Sequence, residues 1–71
     1  MTDSKALREI IKSKGLKLRY IAEQLGIATY TLSMKIDNIK QFKAREIQIL
    51  CEILCLSEEE MIKIFFAKKV D

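Results

Sequence analysis

Gly15 and Gly26 are the only glycines in a chain of 71 residues that has no proline. Between and beyond these two breaks, apolar residues recur three and four positions apart, the repeat of a helix that buries one face. Leu7, Ile10 and Ile11 make one such stripe, and Leu18, Ile21, Ala22 and Leu25 a second. Leu32 and Ile36 make a third, and Ile47, Leu50, Cys51 and Leu54 a fourth. Alternation with period two does not persist anywhere, and no Asn-Gly or Asp-Gly hairpin signal occurs. The expected fold class is all-α.

The ends of the helices have their own chemistry. Asp3 or Ser4 can cap the first helix, and Lys12 and Lys14 suit its C-terminal end before the left-handed stop at Gly15. The second helix is expected over about 18–25, ended by Gly26. The third begins at Ala28 or Thr29 and runs to about Asp37, and the fourth covers about 44–54. Ser57-Glu58-Glu59-Glu60 is a capping box that starts a fifth, with Leu56 and Met61 at the places of a hydrophobic staple. Met61, Ile62, Phe65 and Phe66 are expected to form its apolar face, with Lys68 and Lys69 at its C-terminal end. Five helices in a single domain, residues 1–71, are all that this length supports around one core.

Composition narrows the function. Without histidine the chain lacks the commonest general base and metal ligand. Its two cysteines do not complete a structural zinc set, and Cys51 and Cys55, four apart on a helix, read as reduced thiols. No Ser-His-Asp or Cys-His arrangement and no Gly-rich phosphate loop is present. No enzyme, metal, cofactor or small-molecule effector is therefore expected. No apolar run is long enough to span a membrane, and the opening residues have no signal-peptide core, so the expected setting is the cytoplasm.

Charge placement says more than net charge. From Lys12 to Arg45 there are eight cations against two acids, Glu23 and Asp37, for a local +6; the two flanks together carry −3. A one-sided basic field suits a polyanionic partner. Within this stretch, residues 18–37 read as two short helices joined by a tight turn. Ala22 leaves room for a crossing helix, Gly26 tolerates positive φ, and Ile21, Leu25, Ile27, Leu32 and Ile36 fill the angle. This is a helix-turn-helix pattern, and it leaves the outer face of the third helix polar and free to enter a major groove.

Gly15-Leu16, Ile21-Ala22-Glu23-Gln24-Leu25-Gly26-Ile27, Thr31-Leu32-Ser33, and residues 47–56 with Ser57-Glu58-Glu59 after them resemble phage Cro and repressor DNA-binding domains of the xenobiotic-response-element type. The resemblance covers about residues 5–66. The ending Ile64-Phe65-Phe66-Ala67 with Lys68-Lys69-Val70 is similar to small phage-associated regulators of Gram-positive bacteria. The resemblance implies a compact five-helix domain and a Cro-like repressor of phage or prophage origin. Such a protein works at the nucleoid of a bacterial host, as a weak homodimer on a palindromic double-stranded DNA operator. It implies that the helix at about 28–37 reads bases through Thr29, Tyr30, Ser33 and Met34, and that Lys17, Arg19, Lys35 and Lys40 meet phosphates.

Three positions depart from the family pattern. Leu18 stands where many members have a DNA-contacting glutamine. Asp37-Asn38 replaces Asn-Gly, which puts an acid where it is expected to repel phosphate. Lys35 occupies a place that is apolar in many members. Ile49 and Ile53 lie about 200–240° round the fourth helix from Ile47. With Ile64, Phe65 and Phe66 they exceed what one small core is expected to hold, and these five are the dimer candidates. The alternative function is a protein-interaction module, such as an anti-repressor or modulator acting on another regulator.

Overall fold

The computed structural model describes residues 1–68; Lys69, expected with Lys68 at the C-terminal end of the fifth helix, lies outside the described residues, and Lys68 falls beyond the end of that helix at Phe65. The described residues form five helices and no strand: α1 Ser4–Ser13, α2 Leu18–Leu25, α3 Thr29–Ile36, α4 Ala44–Leu54 and α5 Glu58–Phe65. Asp3 caps α1 by accepting from the Ala6 N–H at 3.1 Å. Gly26 ends α2 at φ +71°, a left-handed conformation that costs glycine no Cβ clash. Ser57 and Glu60 close the capping box of α5 in both directions, at 3.1 and 2.9 Å. Two non-glycine residues also take positive φ: Asn38 at 64° and Cys55 at 54°. Cys55 is the left-handed cap of α4, a stop that no glycine announced.

The core unites all five helices. Leu7, Ile21, Leu25, Leu32, Ile36, Leu50 and Leu54 are fully buried, and Ala22 is buried among them. The residues just before α1 are tied to both ends of the bundle. Asn38 accepts from the Thr2 N–H and donates to the Thr2 carbonyl, both at 2.8 Å. The Asp3 N–H donates to the Ile64 carbonyl at 2.7 Å. Phe42, in the α3–α4 connection, meets Phe65 edge to face with centroids 5.5 Å apart.

The buried face of α5 is rotated from the expected one, keeping Met61 and Phe65 against the core and exchanging Ile62 and Phe66 for Ile64. Ile64 and Phe65 are buried, whereas Ile62 and Phe66 are exposed. Phe65 packs on Phe42, and the Ile64 carbonyl accepts from the Asp3 N–H at the start of α1. Two of the dimer candidates, Ile64 and Phe65, are thus core residues and not surface. Ile49 and Ile53 are half-buried against the core, which leaves Phe66 as the one fully exposed member of that set.

Candidate nucleic-acid interface

At about 100° per residue, Thr29, Tyr30, Ser33 and Met34 span roughly 140° of α3, and Leu32, Lys35 and Ile36 lie on the opposite side. The structure keeps Leu32 and Ile36 inward as expected, but Lys35, expected to face outward, goes inward with them. Leu32, Lys35 and Ile36 are buried, Thr29 and Tyr30 are exposed, and Ser33 and Met34 are half-buried. Tyr30 is the most open large hydrophobic side chain among the described residues, at 74%. The four expected base-facing residues therefore share one outward face, and that face carries no charge of its own.

Lys35 does not belong to a phosphate-contacting set. Its side chain is 7% exposed, and its Nζ donates to both oxygens of Glu46 at 2.6 and 2.7 Å. Glu46 also accepts from the backbone N–H of Lys43 at 2.8 Å. Burial by itself pushes the Glu46 carboxyl up. The hydrogen bonds from Lys35 and Lys43 and the charges of both lysines outweigh burial, and hold the carboxyl below its ordinary 4.5. Many members of the resembled family have an apolar residue at the Lys35 position. Here the position is buried too, and the ammonium is carried inward to a partner that the sequence keeps 11 residues away.

Asp37 is also not what the sequence suggested. Arg8 donates to it in a forked geometry, Nη2 to Oδ2 at 2.9 Å and Nε to Oδ1 at 3.3 Å, so its charge is matched from α1. Glu23 lies 3.5 Å from Arg19 across an exposed i,i+4 pair. Each of the three acids between residues 12 and 46 thus has a cation beside it. Lys12, Lys14, Lys17, Lys40, Lys43 and Arg45 are exposed and form no ion pair within 4 Å among the described residues. Of the remaining expected phosphate contacts, Lys17 and Arg19 stand at the start of α2, and Lys40 lies in the α3–α4 connection.

The helix starts follow the same division. Asp3 and Ser57 cap α1 and α5 with side-chain oxygens, whereas α2, α3 and α4 begin at Lys17, Ala28 and Lys43 with no side-chain cap. Lysine has no acceptor to offer an N-terminus and adds positive charge to the positive end of the helix dipole. Lys43 is a further exposed cation at a helix start that the expected phosphate set left out; its signal was a lysine directly before Ala44, where a capping side chain is normally found.

Elsewhere, α4 and α5 border an open apolar groove of about 730 Å³ lined by Phe42, Ile47, Cys51, Leu56, Met61 and Phe66. Both cysteines are free, and burial followed by the charge of Glu52 pushes the Cys51 thiol up. Among the described residues no helix is long and apolar enough to cross a membrane, and no cluster of metal-ligating side chains occurs. At this level the chain is an all-α domain with a neutral polar helix face and a separate set of exposed cations. Comparison with protein-family models, with curated proteins and with solved structures found no match to this chain.

Proposed function

We propose that this protein is a sequence-specific double-stranded DNA-binding regulator of the Cro-like repressor kind, in which α2 and α3 act as a helix-turn-helix. The observation that supports it best is the division of labour around α3. Its exposed face is neutral, and every nearby acid has a cation, while Lys17 and Lys43 stand at two helix starts whose N-cap side chains accept no hydrogen bond, with Lys40 between α3 and α4. Open N–H groups beside lysines are ready donors to phosphate oxygens. A neutral face of hydroxyls, one aromatic ring and one thioether suits base edges and thymine methyls. The groove between α4 and α5, with exposed Phe66 on its rim, favours a second reading as a protein-interaction module.

One experiment separates the two. Duplexes are enriched from a random library by the protein, and the selected and scrambled sequences are then titrated over a range of salt. In the DNA reading, Thr29→Ala and Ser33→Ala each cost about 1–3 kcal/mol on the selected duplex and far less on the scrambled one. Lys17→Ala, Arg19→Ala and Lys40→Ala weaken both duplexes alike and reduce the salt slope by roughly 1 for each phosphate that is no longer neutralised. A palindromic selected site bound by two protomers supports the weak homodimer. If Thr29 and Ser33 variants bind both duplexes as the wild type does, the interaction module becomes the better reading.

Lys43→Ser reports on the same design with two opposite signs. Serine at this position completes the capping box with Glu46, and the fold is expected to gain about 0.5–1 kcal/mol. DNA affinity falls at the same time, with a salt slope smaller by roughly 1. Thermal melts and salt titrations of this variant check both halves. A loss of stability, or unchanged DNA binding, counts against a phosphate role for Lys43.

A further inference from the structure

The Lys35–Glu46 pair joins the buried side of α3 to the first turn of α4. One carboxylate holds the Lys35 ammonium at 2.6 and 2.7 Å and the Lys43 N–H at 2.8 Å. The segment between the two helices has separate anchors. Asp37 is held by Arg8, Asn38 by the backbone of Thr2, and Phe42 by the ring of Phe65. Its far end, where α4 begins, is held by Glu46. Apolar packing is non-directional and accepts a range of helix positions. A hydrogen-bonded ion pair accepts a narrow range of distance and angle. Buried pairs of this kind are often no more stabilising than well-packed apolar residues of similar volume.

We propose that Lys35 and Glu46 are positioning residues for polyanion binding, fixing the start of α4, with the Lys43 ammonium, against the reading face of α3. The proposal rests on the DNA-binding reading. Neither side chain reaches the polyanion; both act through the placement of Lys43.

The test compares the wild type with K35M/E46L and K35R, each with and without K43A, on the selected 30-base-pair duplex. K35M/E46L is expected to melt at or above the wild-type temperature and to bind the duplex at least tenfold more weakly, whereas K35R stays within about threefold. K43A weakens binding in the wild-type background and adds little in K35M/E46L, because Lys43 no longer meets its phosphate there. Equal K43A effects in the two backgrounds overturn the proposal, as does wild-type affinity in K35M/E46L. Should that double variant fail to fold, E46Q carries the same cycle. Amide exchange without DNA gives a second readout. The Ile47 amide, bonded to the Lys43 carbonyl in the first turn of α4, is expected to exchange at least tenfold faster in K35M/E46L and at the wild-type rate in K35R. Unchanged exchange in the double variant overturns the proposal. A wild type that binds no duplex removes the DNA reading, while exchange still decides whether the pair orders the start of α4.

Discussion

Replacing Glu46 alone by leucine is expected to destabilise the fold by about 3–5 kcal/mol, because it leaves the Lys35 ammonium buried without a partner. The Lys35 side chain is 7% exposed and reaches no acceptor other than Glu46, and the Lys43 N–H loses its acceptor in the same change. A domain of 71 residues holds roughly 4–10 kcal/mol in all, so this one substitution removes a third of that stability or more. Urea melts at pH 7 measure it directly; a loss below about 1 kcal/mol means that the ammonium escapes to water. The pair also has a pH signature. The folded Glu46 carboxyl titrates below its ordinary 4.5, so its contribution is fully present above that pH and is lost as pH falls through the folded value. The wild-type urea midpoint therefore declines below about pH 4.5, and Glu46→Gln flattens that decline.

Leu32→Ala is expected to cost about 2–5 kcal/mol, the range for truncating a buried leucine. Leu32 is fully buried and lies in the cluster with Ile21, Leu25 and Ile36 that sets the angle between α2 and α3. The side chain does not reach the exposed face, so any loss of DNA binding follows from loss of fold. In the DNA-binding reading, titration at a temperature where the variant is still folded is expected to restore binding to near the wild-type level. A variant that keeps wild-type stability and loses binding places Leu32 at the interface and overturns this assignment.

All five helices were legible because their determinants are local. The i,i+3,i+4 stripes, the capping residues Asp3 and Ser57 and the break at Gly26 each act within one or two turns of chain. The stop of α4 at Cys55 was harder to read, since a left-handed cysteine carries no compositional mark. The face of α5 was misjudged for a different reason. Met61, Ile62, Phe65 and Phe66 form a reasonable stripe in isolation, but the packing of α5 on α1 and Phe42 buries Ile64 beside Phe65 and leaves Ile62 and Phe66 exposed.

Periodicity was enough to divide α3 into an outward and an inward side, because α3 has one neighbour-facing arc and Leu32 and Ile36 define it. Charge was a different matter. The sequence showed a basic stretch with two acids in it, and left open which charges face water. Lys35 and Asp37 change their meaning only when α4 and α1 bring Glu46 and Arg8 to them, across separations of 11 and 29 residues. Coulomb attraction depends on distance in space, and over such separations the folded chain alone sets that distance. By itself, then, the sequence determined which segments are helical and which way α3 turns its polar side. Only the tertiary structure decided which charges remain for a partner, since that choice belongs to pairs of side chains that no local rule brings together.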